Sequence, residues 1–246
     1  MVNIPAVNAA YLDVSNLEIT ILGDETLTVA AGRARNSTNL SDIILDAAVT
    51  VSNLEVGLNG IDTGTVLASK VYAIYIVGDS SNNNPTGAML SLNQASPLIP
   101  SGYDMVRKIG YAVTDGTSDF YMGYFYGSAN SRKFVYDAPV VTGVTAGASA
   151  TYAAVTLTTL VPSQQNVPVL FNLNWTANAA GDTMGLQPFG ATGDTFSDIA
   201  GVAGASAHTI LFPTVMAQLD SGVPKVNYKV SAGTLAVNVS GFEYSI

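Results

Sequence analysis

Apolar residues recur in this chain with the two-residue period of a β-strand almost from end to end. No stretch of about 12 residues keeps the 3.6-residue period of a helix. Candidate strands are Leu27–Ala31, Ile43–Asp46, Val49–Leu54, Val71–Val77, Ile109–Thr114, Phe120–Tyr126, Lys133–Tyr136, Tyr152–Leu160, Val169–Trp175, Thr209–Phe212, Val226–Val230 and Leu235–Phe242. They are rich in Val, Ile, Thr, Tyr and Phe, which suit a pleated, half-buried surface. Turn formers separate them: Asn82–Gly87, Asp115-Gly116, Gly127-Ser128 and Ser231–Gly233. Asp115-Gly116 between two β runs predicts a hairpin. The run Thr195–Ala207 is so rich in Gly and Ala that it reads as loop. The pattern therefore predicts an all-β protein.

A strand-rich chain must deal with its unpaired edges, usually with charge, proline or bulges. Here only 11% of residues are charged while 48% are hydrophobic. The surface must be covered by Ser, Thr, Asn, Gly and Ala, an exterior suited to contact with neighbouring subunits, since charge is costly to bury. The formal net charge is −9. Nine basic residues scattered over 246 positions make no stripe for a phosphate backbone, so no nucleic-acid partner is expected. An anionic membrane surface would repel the chain, and no window reaches the ~18 apolar residues of a spanning helix. The first residues, MVNIPAVNAAYLDV, lack the basic start and apolar centre of a signal peptide. The expectation is a soluble protein made in a cytoplasm, where the Asn-x-Ser/Thr triplets at Asn36, Asn39, Asn174 and Asn238 carry no glycans.

Thirteen of the 18 acidic and seven of the nine basic residues fall within positions 1–138. The segment from Asp137 to Gly143 passes from aromatic-rich to Gly/Ala/Thr-rich sequence around Pro139. This predicts two consecutive antiparallel β-sandwich modules, jelly-roll-like, over 1–138 and 139–246, each close to the roughly 100 residues such a sandwich needs.

The segment Leu58-Asn59-Gly60-Ile61-Asp62-Thr63-Gly64, Tyr72–Asp79, Asn84–Ser91, Ile99–Asp104 and Arg107–Gly110 resembles a stretch found in virion proteins of tailed bacteriophages. Upstream, Ala31–Thr38 followed by Asp42–Leu45 is similar to the same family, and Val239–Tyr244 matches it more loosely. The resemblance implies a virion structural component, a capsid-decoration or tail-fibre-like β protein, and no reaction. The residues also make sense by themselves. Gly60 and Gly64 suit tight turning around Asp62, and Val71–Val77 is apolar on both parities, the pattern of a strand covered on both faces. Pro97, Pro100 and Gly102 break the chain before Tyr103 anchors it. Arg107 and Lys108 are expected at the solvent end of the next strand.

No catalytic residue, cofactor or metal site is expected. There is no cysteine, which removes disulfides, thiol catalysis and Cys-ligated zinc. His208 is the one histidine, too few for a triad or a two-His metal site. Asp115 with Asp119, and Asp24 with Glu25, are the nearest thing to a carboxylate pair for glycoside cleavage, but both read as turn chemistry. Asp79–Asn84 is oxygen-rich without the spaced acidic ligands of a calcium loop. Phe120, Tyr121, Tyr124, Tyr126, Phe134 and Tyr136 form the richest aromatic patch, a possible interface for subunits; Trp175 reads as core.

The resulting expectation is a non-enzymatic bacteriophage virion structural protein, assembled in the host bacterial cytoplasm. It would serve as capsid decoration or cement, or as a collar or tail-knob subunit. Its partners would be copies of itself, as a homotrimer, and other virion proteins such as major capsid or tail subunits. The alternatives are a tail-fibre-type adsorption protein holding a host surface glycan or protein, and a polysaccharide-cleaving enzyme.

Overall fold

A computed structural model describes residues 14–38, 40–128, 131–192, 199–200 and 207–246. Among the described residues every regular element is a strand.

The N-terminal region opens with three strands, each interrupted midway. The first comprises β1 (Val14–Asn16) and β2 (Ile19–Ile21), the second β3 (Thr26–Val29) and β4 (Gly32–Arg35), the third β5 (Asp42–Leu45) and β6 (Val49–Ser52). They form one antiparallel meander, but its pairing splits at the breaks into β1-β4-β5 and β2-β3-β6. The break in the first strand is a backbone kink, since Asn16 and Leu17 adopt φ of 58° and 55°. Leu17 is a rare choice for this left-handed region, and it is fully buried, so packing sustains the conformation. Next come β7 (Val71–Gly78), β8 (Gly87–Ser91) and β9 (Met105–Val113), with β7 central. All eight residues of β7 are buried, as the unbroken apolar run predicts.

The chain then lays down β10 (Gly123–Ser128), β11 (Ser131–Val141), β12 (Ala153–Thr156), β13 (Val167–Thr176), β14 (Thr183–Pro188), β15 (Ile199–Ala200), β16 (Ala207–Asp220), β17 (Val223–Val230) and β18 (Thr234–Ser245). Their pairing is orderly. The first strand of the last eight pairs with the last, β11 with β18; then β12 pairs with β17, β13 with β16, and β14 with β15. Lateral pairings of β13 with β18 and β14 with β17 complete two layers, β11-β18-β13-β16 and β12-β17-β14-β15. That is a jelly roll, a four-pair hairpin wound onto itself. The tip of β16 reaches β17 through Gln218↔Lys225 to Asp220↔Val223, joining the layers.

Burial in the roll follows the pleat. Along β13, Val167, Val169, Phe171, Leu173 and Trp175 are buried, and the residues between them are half-buried or exposed. Beside them in the same layer are Leu235, Val237 and Val239 of β18, and the other layer contributes Val226 and Val230 of β17. A bulge after Val239 shifts β18 by one residue, which returns Phe242 and Tyr244 to the interior. A side chain at Gly241 would sit 2.3 Å from the Phe134 carbonyl, so only glycine fits the bulge.

β11 spans Ser131–Val141 and is the roll's first strand, its pairing with β18 interrupted between Val135 and Val140. Pairing with β18 decides the membership of β11, and that partner lies a hundred residues away, beyond any local composition signal. The two regions also share one continuous core. Tyr111 of β9 sets its ring edge-on to Tyr244 at 5.1 Å and to Phe242 at 6.5 Å. A Cβ at Gly110 would lie 2.5 Å from Ile19 Cδ1 and 3.0 Å from the Tyr244 hydroxyl, so any larger residue there forces those side chains to shift.

Candidate interface groove at the edge of the roll

Among the described residues β10 is the outermost strand of its sheet, hydrogen-bonded to β11 on one side only. Among the same residues β1 and β2 are outermost in theirs. A groove of about 730 Å³ lies between these edges, lined by Val14–Asn16, Glu18–Thr20, Gly123–Gly127 and Arg132. Alternation along β10 turns Tyr124 and Tyr126 outward, 55% and 56% exposed, and Phe125 inward against Phe134 at 5.0 Å. Met122 continues the outward row. Tyr124 donates from its hydroxyl to Asp137 Oδ1 at 3.2 Å, and that carboxylate keeps the phenol protonated by raising its pKa.

The six aromatic residues read from sequence as one patch are therefore divided by the pleat. Phe120, Phe134 and Tyr136 lie in the core, and Tyr136 donates to the Leu160 carbonyl at 2.6 Å. Tyr121 is half-buried with its ring perpendicular to Tyr136 at 5.5 Å. Tyr124 and Tyr126 alone face the groove and solvent.

Arg132 forms the groove's floor. It has the same parity on β11 as buried Phe134 and Tyr136 and is itself 6% exposed. Its Nη1 donates to the carbonyls of Leu17 at 2.9 Å and Ile109 at 3.2 Å, and its Nη2 to Asn16 at 2.9 Å. These carbonyls come from two backbone irregularities, the β1–β2 kink and a bulge in β9 where Ile109 has no partner on β7. An arginine carries donors enough to satisfy both. Burial pulls its pKa down, and nearby Tyr244 and Glu18 oppose that. Sequence inspection missed Arg132; its parity with Phe134 and Tyr136 is the signal that marks it.

The other candidates fall into structural roles. Asp79 accepts from the backbone N–H groups of Ser81, Asn83 and Asn84 and from Asn84 Nδ2, bonds that lower its pKa. Asp104 accepts from Ser80 Oγ and the Ser80 N–H and is lowered likewise. The oxygen-rich loop is thus closed by its own donors. Asp115 takes the N–H groups of Thr117 and Asp119, which outweigh the upward push of its partial burial. It closes a turn fastened by the Thr114↔Phe120 bridge, but the expected hairpin goes no further, because the next strand leaves for the roll. Arg107 and Lys108 are half-buried, contrary to the expected solvent end. Arg107 Nη2 donates to the Ile246 carbonyl and Lys108 Nζ to the Tyr111 hydroxyl. The Trp175 ring is buried as expected; the His208 side chain lies outside the described residues. Among the described residues no cluster of three or more His, Asp or Glu could hold a metal, and no helix is long and apolar enough to cross a membrane.

No family model matches the chain, and no curated protein matches it. Among solved structures, that of the infectious bursal disease virus Gx strain aligns over 95% of this chain and 66% of its own, just under two thirds. The identity is 14% and the TM-score 0.23, a likeness too slight to bear on fold or role. The fold conclusion rests on the strand pairing itself: the chain is an all-β protein ending in a jelly roll.

Proposed function

We propose that this chain is a non-enzymatic structural subunit of a bacteriophage particle, serving as capsid decoration or cement or as a collar or tail-knob subunit. The observation that supports the reading is the uncharged strand β10, outermost among the described residues, with Tyr124 and Tyr126 exposed beside a second edge. An aromatic edge of this kind is a liability in a monomer and an asset in an assembly. Other large apolar side chains lie open too, among them Leu40, Leu54, Val56 and Leu98, on a surface with little charge. The resemblance of Leu58–Gly110 to tailed-phage virion proteins supports the same reading. The jelly roll agrees with it by analogy of fold alone, because lectin domains share that architecture.

The expected assembly is a homotrimer that docks on major capsid or tail subunits. Light scattering at micromolar concentration tests it: a stable monomer counts against the reading. Quantitative mass spectrometry of purified particles then separates hundreds of copies, indicating the shell, from about a dozen or fewer, indicating the tail. A second reading, adsorption to a host glycan, draws on the lectin analogy and the exposed tyrosine pair. Specific binding of the isolated protein on a glycan array would favour it.

A further inference from the structure

We propose that a second cleft, between β9 and the roll, binds an acidic monosaccharide unit whose carboxylate is held by Arg107 and Lys108. The inference does not depend on the assembly proposed above.

The cleft has a volume of about 580 Å³, within the range of small-molecule sites. One wall is Val106–Lys108 of β9, another comes from the connection that starts at Gln94, and a third is Ser163 and Gln164 ahead of β13. Side-chain bonds fix these walls against one another. Gln94 donates from Nε2 to the Val71 carbonyl at 3.1 Å and accepts at Oε1 from the Ser163 N–H at 3.0 Å, which ties the connection to the roll. Gln164 Nε2 and Lys108 Nζ both donate to the Tyr111 hydroxyl. The shape is therefore set before a ligand arrives, which lowers the entropy lost on binding.

The charge of the cleft points to an anion. The chain has only nine basic residues against a net charge of −9, and two of them stand side by side here, both half-buried. Among the described residues the ion pairs join Arg35 to Asp42, Lys133 to Glu243 and Lys225 to Asp220; neither Arg107 nor Lys108 meets an Asp or Glu. Burial lowers the pKa of both, and for Lys108 the adjacent guanidinium lowers it further. Two neighbouring cations held partly out of water without a carboxylate are unfavourable, and an incoming anion relieves them. Both keep N–H donors for it, since Arg107 uses Nη2 on the Ile246 carbonyl and Lys108 donates to Tyr111. The planar guanidinium matches a carboxylate in shape.

The rest of the lining favours a sugar over a bare ion, which would leave most of this volume to water. Ser37, Ser96 and Ser163 are exposed residues whose hydroxyls suit exchange of hydrogen bonds with a sugar's own, and half-buried Pro97, Ile99 and Val106 offer apolar surface to its C–H faces.

Saturation-transfer NMR on the full-length protein tests this at low ionic strength, with glucuronate as probe and glucose and inorganic sulfate as comparisons. Glucuronate should bind about tenfold more tightly than glucose, the worth of one charge-assisted hydrogen bond, and more tightly than sulfate. Lys108→Met should weaken glucuronate about tenfold. Ser96→Glu, at an exposed position, sets a like charge at the cleft without touching the core, and should weaken it about threefold or more while glucose is unaffected. Glucuronate that binds no better than glucose overturns the inference. So does sulfate that binds as tightly as glucuronate, which would leave a bare anion site. S96E with wild-type affinity overturns it too, whether or not K108M folds. None of these readings depends on the oligomeric state, which light scattering reports separately.

Discussion

The two regions of this molecule solve the same problem, satisfying the backbone of an all-β chain, by different means. The roll uses length. β13, β16 and β18 run for 10, 14 and 12 residues, and their ladders consume most of the polar groups they carry. The N-terminal region has strands of three and four residues in its first meander, with long connections after it. It relies on side chains to close what the ladders leave open. Asp62 accepts from Ser91 Oγ at 2.6 Å and the Leu98 N–H at 2.9 Å; Asp79, Asp104 and Asp115 cap loops; Arg132 reaches across from the roll to cover three carbonyls. The uneven distribution of charge along the chain has this physical cause. Acidic residues concentrate where loops must be tied, and they are scarce where ladders suffice.

That contrast can be broken most forcefully at Arg132. Arg132→Met leaves the carbonyls of Asn16, Leu17 and Ile109 buried with a donor removed from each, a cost of about 3 kcal/mol or more. Urea unfolding should then separate into two steps, with Trp175 fluorescence reporting the roll and far-UV circular dichroism both regions. A single coincident transition would mean that the shared core, and not the arginine, couples them. Next in size, Leu27→Ala in the N-terminal core and Leu173→Ala in the roll each remove a fully buried side chain and should cost about 2–5 kcal/mol. In the wild-type background both should lower the Trp175 midpoint if the regions unfold as one unit. Gly110→Ala, which drives a methyl against Ile19 and the Tyr244 hydroxyl, should cost about 1–3 kcal/mol, read from the same midpoint.

Acid should distinguish the regions more gently. Hydrogen bonds hold Asp79 and Asp104 below the ordinary carboxylate range when folded. Their contribution is complete above the unfolded value and is lost as pH falls through the folded one. Thermal melts between pH 5 and 2 should therefore loosen the loops around Ser80 first. In the roll Asp220, held down by Lys225 at 2.6 Å, is a single tie of this kind at the β16–β17 tip. Smallest of all, Tyr124→Ser should move monomer stability by no more than about 0.5 kcal/mol while weakening self-association measured by sedimentation.

Much of this architecture can be read from residues alone. The period-2 runs locate the long strands, and the turn formers fall between them. Besides β1 and β2, which are only three residues each, the strands that escape include some whose composition contradicts their role. β4 is Gly32-Arg33-Ala34-Arg35, β14 carries Gly185 and ends on Pro188, and β8 begins at a glycine read as part of a turn. β8 pairs with the eight-residue β7 and β14 with the eight-residue β17, while β4 is held between the equally short β1 and β5, so partners and not composition decide all three. The groove escapes for the same reason. Tyr124 and Tyr126 stand out as aromatics, but the loss of Phe134 and Tyr136 to the core follows from the β10–β11 register. The role of Arg132 follows from a kink more than a hundred residues upstream.

The roll's first and last strands lie side by side in opposite directions, with Ser131 opposite Ser245. Tension applied through those two points would not shear the ladder but unzip it, one rung after another, the direction in which a sheet resists least. The same end of the roll is where Tyr111 presses on Tyr244 and where Arg132 is anchored. The N-terminal region thus acts as a clip over the seam, and single-molecule pulling from the two ends of the roll should meet its highest resistance before the first rung parts.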